Sequence, residues 1–245
     1  MAWAGVPVTF RREAVRLTLF TAHESAKADG PQLRWDLLAR DQYATLVGYM
    51  GVSALPHAVS KLIEHGLDPS TPAAMVEQGT TSAQRRVIST LSELPEAVQE
   101  AGLEAPALFA IGPTVGHAET LDWISRLPLA GHRVVVPATR TELGRRLESA
   151  GAEVVMLPQP VTPAARIVLA ALPLTDCVIC DPAEVDSIDG ERAGGGWSDA
   201  VTAWCIGSKA ASRARALGWP KVRELAEDAG DGELLKAMGG EPRGR

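Results

Sequence analysis

Short apolar runs rich in β-branched residues alternate with amphipathic helical stretches along most of this chain, and this pattern limits the fold more than any other feature. In the first half, five such runs are predicted strands: residues 17–22, 45–49, 73–76, 87–91 and 108–111. Two helices are predicted between them, over residues 55–65 and 94–101, and Gly66 and Gly102 follow where a left-handed cap residue belongs. The alternation predicts helices packed on a mostly parallel sheet, which is an α/β fold.

A second series with different spacing begins after residue 126, where Pro128 and the Gly131 turn interrupt the pattern. Residues 132–137, 142–150 and 153–157 predict one strand–helix–strand unit. The series continues with predicted strands at 176–180 and 203–206 and predicted helices at 164–172, 209–217 and 233–238. Residues 181–199 are rich in Asp, Gly and Ser and are predicted to be a mobile loop. We therefore predict two consecutive α/β domains, 1–126 and 127–245.

Charge and apolar content exclude several classes of function. The net charge is -6 with both signs mixed along the 245 residues, so the chain lacks the basic stripe that nucleic acids require. No apolar run reaches the roughly 18 residues needed to cross a bilayer, and the N-terminus does not have the pattern of a secretory leader. We expect a cytoplasmic protein that binds neither nucleic acid nor membranes.

The three cysteines, Cys177, Cys180 and Cys205, are an odd and late-clustered set that does not predict a disulfide framework. Cys177 and Cys180 form a Cys-x-x-Cys string, which could indicate redox or metal chemistry. Residues three apart on a strand point to opposite faces, and no second pair or histidine stands nearby. We therefore predict no metal site.

Five motifs in the first half follow one another in a fixed order. They are residues 4–9 (AGVPVT), 20–24 (FTAHE), 45–52 (TLVGYMGV), 71–81 (TPAAMVEQGTT) with 84–87 (QRRV), and 106–112 (PALFAIG). In this order and spacing they resemble the C-terminal part of the uroporphyrinogen III C-methyltransferase family, tetrapyrrole methylases that make precorrin-2 for sirohaem and cobalamin. The resemblance implies a C-terminal αβα domain for the first half, with the N-terminal cofactor-binding domain of the family absent.

The resemblance also implies S-adenosylmethionine as the cofactor, with contacts from Met50, Gly51, Gly79, Ala107 and Leu108. Independently, Met50 and Gly51 end a predicted buried strand, where ligands of α/β sheets collect. A thioether suits an adenosine surface, and a glycine lets that surface approach the main chain. The alternative interpretation is that Met50 is an ordinary core residue.

The substrate of that family carries eight carboxylates, which arginine side chains could bind in pairs. Arg11 and Arg12 form one basic pair, and Arg85 and Arg86 form another. Exposed arginine pairs are more often simply solvated. His23 could act as an acid, a base or a hydrogen-bond donor, or it could be a solvated loop residue.

The second half, from residue 129, resembles uroporphyrinogen III synthase in residues 129–140, 143–147 and 151–158, and it is short for that two-lobed family. The resemblance implies one flavodoxin-like lobe with a parallel sheet. Gly207 and Ser208, at a predicted strand-to-helix turn, offer amides and a hydroxyl to a substrate carboxylate, or they are a simple helix cap.

Three functions remain open from the sequence. The first is S-adenosylmethionine-dependent C-methylation of uroporphyrinogen III to precorrin-2, with the absent front domain supplied by a separate chain or lying outside this sequence. The second is cyclisation of hydroxymethylbilane by the synthase-like half, and the third is a non-catalytic scaffold. We expect a homodimer that acts on a small-molecule tetrapyrrole.

Overall fold

The computed structural model describes residues 1–23, 33–158, 160–192, 197 and 199–239. The chain divides into two compact units, Met1–Ile124 and Ser125–Arg245, and each contains one five-stranded sheet with helices packed on it. The predicted α/β class with two consecutive α/β units is confirmed. No helix among the described residues is long and apolar enough to cross a bilayer.

Within its described residues, the first unit has five strands and three α-helices. The strands are β1 (Arg16–Thr21), β2 (Ala44–Tyr49), β3 (Pro72–Glu77), β4 (Arg85–Thr90) and β5 (Ala107–Ile111), and the helices are α1 (Trp35–Arg40), α2 (Leu55–Glu64) and α3 (Leu94–Glu100). The strand order across the sheet is β1-β2-β5-β3-β4. Strand β5 therefore lies at the centre, between β2 and β3.

The prediction of a mostly parallel sheet is wrong for the first unit. Strands β1 and β2 are parallel, whereas β2–β5, β5–β3 and β3–β4 are all antiparallel. Only residues 78–84 connect β3 to β4, and a parallel pair requires a crossover of a dozen or more residues. Since β5 runs against both of its neighbours, β2 and β3 point in the same direction on either side of it.

The core of the first unit lies between one sheet face and the three helices. Helix α2 buries Leu55, Ala58, Val59 and Leu62, which recur at the spacing of one helix face. Gly66 then takes a φ of +97°, the left-handed conformation that ends a helix. The opposite sheet face is covered by Val6, Val115 and Ala118.

In the part of the second unit that the structure describes there are five strands and five α-helices. The strands are β6 (Arg133–Pro137), β7 (Glu153–Leu157), β8 (Asp176–Ile179), β9 (Thr202–Ile206) and β10 (Lys221–Leu225), and the helices are α4 (Thr141–Ser149), α5 (Pro163–Ala171), α6 (Pro182–Glu191), α7 (Ser208–Ala216) and α8 (Asp231–Gly239). All strand pairs are parallel, in the order β10-β9-β8-β6-β7. Counted from β6, this is the 2-1-3-4-5 order of flavodoxin-like folds, as predicted. Helices α5, α6 and α7 pack on one face, and α4 and α8 on the other.

The predicted loop over 181–199 is wrong in its first half, because helix α6 occupies Pro182–Glu191. The Asp181 side chain accepts a hydrogen bond from the Ala183 amide at 2.7 Å and caps the helix, and Pro182 fits the first turn. Val185 and Ile188, three residues apart, are fully buried. Burial of this face overrides the weak helix propensity of the Asp and Gly residues. Residues 193–196 and 198 of the predicted loop lie outside the described residues.

Candidate functional site

The predicted cofactor-contacting residues all lie at one edge of the first sheet. Strands β2 and β3 run parallel to each other and end there, so Met50 and Gly79 follow their carboxyl ends. Strand β5 runs the opposite way between them and starts at the same edge, where Ala107 pairs with Glu77 and Leu108 with Val76. The Gln78 amide donates to the Pro106 carbonyl at 2.9 Å, which joins the end of β3 to the start of β5. We name Met50, Gly51, Gln78, Gly79, Ala107 and Leu108 the β2–β5–β3 edge.

Backbone conformation at this edge is unusual at two non-glycine residues. Met50 has a φ of +51° and Gln78 a φ of +45°, and each immediately follows a buried strand. Side chains rarely adopt the left-handed region outside glycine, and such residues cluster at binding sites. Met50 is also 65% exposed. The alternative of an ordinary core methionine is therefore wrong, since its thioether faces solvent at the strand end.

Two glycines of β2 and its turn are explained by packing. A β-carbon added at Gly48 would lie 2.2 Å from the Phe109 ring, and one at Gly51 would lie 2.5 Å from it. Phe109 is fully buried in β5 and directly opposite Gly48 in the register. The ring thus lies under the whole Tyr49–Gly51 turn, and Gly51 is required by the fold whether or not a ligand binds.

Gly79 is different, because the fold leaves room for a side chain there. A β-carbon at Gly79 would meet Val76 Cγ1 at 3.5 Å and Gln84 Oε1 at 3.8 Å, both ordinary van der Waals distances. The residue is exposed and lies outside the left-handed region that would require glycine. Packing within the described residues therefore does not require glycine at this position.

Hydrogen bonds hold the Gln78–Gln84 turn in place. The Thr81 hydroxyl donates to the Gln78 carbonyl at 2.9 Å, and Gln84 Oε1 accepts from the Thr80 amide at 2.9 Å. Gln84 Nε2 in turn donates to the Trp3 carbonyl at 3.2 Å. The Gly79 main chain is consequently presented on a braced turn.

Arg85 and Arg86 both have partners inside the first unit. Arg85 forms an ion pair with buried Glu77 and donates to the carbonyls of Ala101 and Gly102, and its hydrogen bond holds the pKa of Glu77 below the usual value. Arg86 donates to the Ala4 carbonyl and forms an ion pair with Asp122. Arg85 and Arg86 therefore both brace the first unit from within.

The remaining residues of the first unit that are predicted to bind substrate lie at opposite ends of the strands of its sheet. His23 follows β1, whose end pairs with Tyr49, so it lies exposed at the same edge as Met50. Arg11 and Arg12 lie in the Phe10–Ala14 turn that precedes β1, and Phe10 stacks on His117 beyond the far end of β5. The structure therefore does not bring Arg11 and Arg12 to the β2–β5–β3 edge.

In the second unit, Gly207 and Ser208 lie where β9 meets α7. Gly207 has a φ of +92° and its amide donates to the Leu225 carbonyl at 3.0 Å, while Ser208 is exposed in the first turn of the helix. Cys177 packs in the cluster under α5–α7, and Cys180 packs against the opposite cluster, so their side chains lie on opposite faces. No group of three His, Cys, Asp or Glu side chains among the described residues is arranged to hold a metal ion.

Sequence reasoning missed Phe109 as the floor of the site and the backbone strain at Gln78. The available signal was the pair Gly48 and Gly51 within and just after a buried strand, since glycine inside a strand often marks the close approach of another group. Which group approaches is a tertiary property that the local pattern does not contain.

Comparisons with known proteins identify the class to which the first unit is related. Residues 1–95 match the model of the Tetrapyrrole (Corrin/Porphyrin) Methylases, a span that contains Met50, Gly51 and Gly79. This match confirms the tetrapyrrole methylase resemblance for that segment.

Individual relatives are consistent with this class. The chain is 37% identical over 160 residues to the uroporphyrinogen-III C-methyltransferase of Bacillus subtilis, covering 64% of this chain and 33% of that protein. It is 40% identical over 122 residues to the siroheme synthase of Methylococcus capsulatus, covering 50% and 25%. The chain thus spans a third or less of these relatives. A uroporphyrin-III C-methyl transferase from Thermus thermophilus, solved with S-adenyl homocysteine, is 29% identical over 46% of each chain with a TM-score of 0.39.

Proposed function

We propose that the first unit forms one wall of the S-adenosylmethionine site of a tetrapyrrole C-methyltransferase that converts uroporphyrinogen III to precorrin-2. The observation that carries the proposal is the convergence of Met50, Gly79 and the Ala107–Leu108 main chain on one sheet edge. One family resemblance implies cofactor contacts from all of these residues, and the three motifs that contain them meet at this edge.

The residues at this edge fit the cofactor chemically. The exposed Met50 thioether is flexible and polarizable and suits the face of an adenine ring. The bare Gly79 main chain allows a ligand to approach a braced backbone. Bound S-adenosylmethionine would supply a methyl group from its sulfonium, and the residues of this edge would orient it. His23 follows β1 at the same end of the sheet, and its imidazole could move a proton there.

The relatives are three to four times longer than the segments that match. Our proposal therefore includes further protein, on the same or a separate chain, that covers the β2–β5–β3 edge and excludes water from the transfer. The match to the Bacillus subtilis enzyme runs over 160 residues and so continues beyond the first unit, which ends at Ile124. This favours a tetrapyrrole enzyme in which both units occur together.

A cofactor-binding role for Gly79 predicts that Gly79→Ala weakens S-adenosylhomocysteine binding about tenfold without lowering the thermal unfolding midpoint. The fold accepts the added methyl, so the loss would come from contact between that methyl and the ligand. Isothermal titration of the chain with S-adenosylhomocysteine measures the affinity. Gly116→Ala is the matched control, because a β-carbon there meets nothing within 4 Å. Equal affinities for both variants, or no binding by the parent chain, would remove the support for the site.

Cyclisation of hydroxymethylbilane by the second unit stays a prediction. The feature that favours it is the flavodoxin-like parallel sheet expected from the resemblance to a synthase lobe. Incubating the chain with freshly prepared bilane and measuring uroporphyrinogen III tests it. If neither cofactor binding nor cyclisation is found, the scaffold interpretation is the one that remains.

A further inference from the structure

The second unit contains a cavity of about 640 Å³ at the amino-terminal ends of β8, β9 and β10. The Gly207–Ser208 turn lies at the opposite, carboxyl end of β9. Three of its lining residues, Asp176, Thr202 and Lys221, are neighbours in the sheet register and form a row on one face. His132, just before β6, lines the same cavity. Among the described residues, α4 and α8 cover this face of the sheet, and Met238 of α8 lines the cavity.

Apolar side chains, one of them aromatic, form part of the buried floor of the cavity. Trp204 lines it and is 6% exposed, and Leu174 and Met238 also contribute. Arg223 is the register neighbour of Trp204 on β10, so it stands beside the indole. A flat apolar group could lie on this floor, since aromatic side chains favour stacked or edge-on contact with other rings.

A buried polar network forms one wall. Asp176 accepts hydrogen bonds from Thr175 Oγ1, from Trp204 Nε1 at 2.9 Å and from His132 Nδ1 at 2.8 Å. Burial raises the pKa of Asp176, but these hydrogen bonds outweigh burial and leave the pKa below its usual value. The carboxylate therefore already accepts hydrogen bonds from three side chains of the protein. The ring nitrogen of His132 that remains for a ligand is Nε2.

The rim of the cavity is positively charged. Lys221 and Arg223 are two residues apart on β10, so both point to the same face, and both are exposed. Among the lining residues that the structure describes, Asp176 is the one carboxylate, and it accepts hydrogen bonds from Thr175, Trp204 and His132. The cavity thus combines cations at the rim with an apolar floor.

We propose that this cavity binds a small organic acid with a flat apolar body, whose carboxylate lies between Lys221 and Arg223 and whose body lies on Trp204 beside His132. The volume is in the range of small-molecule sites. Charge-assisted hydrogen bonds to the two cations would fix the orientation of the acid. The proposal is independent of the methyltransferase assignment, because it concerns only the second unit.

Benzoate is the probe, and benzamide is its uncharged counterpart of nearly the same shape. Titration of the full chain with benzoate, followed by the indole N–H signal of Trp204 in nitrogen–proton NMR spectra, is expected to show saturable shifts. Benzamide is expected to bind at least about fivefold more weakly, and Lys221→Ala and Arg223→Ala each to weaken benzoate by a similar factor. Lys209→Ala is the control, because Lys209 is exposed at the start of α7, at the other end of the sheet.

Three results would overturn the proposal. The first is no saturable shift up to about 10 mM benzoate, and the second is equal affinity for benzamide and benzoate. The third is that Lys209→Ala lowers benzoate affinity as much as Lys221→Ala and Arg223→Ala do. The last result would place the acid at the Gly207–Ser208 turn instead. Because both rim residues are exposed, their variants are expected to unfold at the parent temperature. If either alanine variant unfolds at a lower temperature, Lys221→Gln and Arg223→Gln are used in place of the alanine variants. The glutamine substitutions remove the charge and keep most of the side chain.

Discussion

Phe109→Ala is expected to lower the free energy of unfolding by about 3–5 kcal/mol, the range for removing a fully buried aromatic ring. The loss should be near the upper end of this range, because the ring packs directly against two glycines, Gly48 and Gly51, which have no side chains to fill the space that it leaves. Phe109 also packs edge-on against Phe20, with ring centroids 5.8 Å apart. Urea unfolding followed by tryptophan fluorescence measures the change. Phe10→Ala, at a residue 40% exposed, is the control and should cost about 1 kcal/mol or less.

A double-mutant cycle with Gly48→Ala separates this specific packing from general core damage. A β-carbon at Gly48 would lie 2.2 Å from the ring, so Gly48→Ala alone should destabilise the protein by about 1–3 kcal/mol through overpacking. In the Phe109→Ala background the same change should be neutral or stabilising, because the methyl then enters the vacated space. Strict additivity of the two changes would contradict the proposed contact.

Variants of Phe109 also test whether this ring positions the candidate cofactor site. Without the ring, the Tyr49–Gly51 turn loses the side chain against which Gly48 and Gly51 pack. Phe109→Leu, which preserves more of the core, is therefore expected to weaken S-adenosylhomocysteine binding while the first unit remains folded. Phe109 would act as a positioning residue, through the turn rather than through contact with the ligand.

The sequence predicts the parts of this fold that depend on local periodicity. The apolar runs that become β2, β3, β5, β6 and β8 were recognised because each is buried, and buried strands read as continuous apolar segments. The same pattern does not distinguish parallel from antiparallel neighbours, so the direction of β5 was missed. Strand β10, with the sequence KVREL, was also missed, since it is an edge strand whose charged residues reach solvent.

The site was predictable to the same degree. Met50 and Gly79 were assigned correctly to the ends of two strands, because a motif at a strand end needs only local information. Their proximity follows from β5 running between those strands, which no local pattern encodes. The Asp176 network was missed for the same reason, since His132 and Asp176 are 44 residues apart and meet only in the folded sheet.

Asp176 provides the clearest test of buried electrostatics in the second unit. An ionised carboxylate can only accept hydrogen bonds. His132 Nδ1 must therefore carry a hydrogen and donate the hydrogen bond to Asp176. Because the hydrogen bonds hold the pKa of Asp176 below its value in the unfolded chain, near 3.9, ionisation of this group favours the folded state. Asp176 makes its full contribution to stability at pH values above its pKa in the unfolded chain. The contribution is lost as the pH falls through the lower pKa that Asp176 has in the folded chain.

Asp176→Asn is therefore expected to lower the free energy of unfolding by roughly 3 kcal/mol at pH 7. The N–H₂ group of the new amide must face at least one of the three groups that donate hydrogen bonds to the Asp176 carboxylate. The difference from the parent chain should be the same at pH 6 and 5 and should shrink below about pH 4, where the parent also begins to lose its carboxylate. Urea unfolding across this range measures it, and Asp228→Asn, at an exposed residue, is the control that should show no such difference. A penalty for Asp176→Asn that stayed constant to pH 3 would mean that the shape of the side chain, and not its charge, stabilises the network.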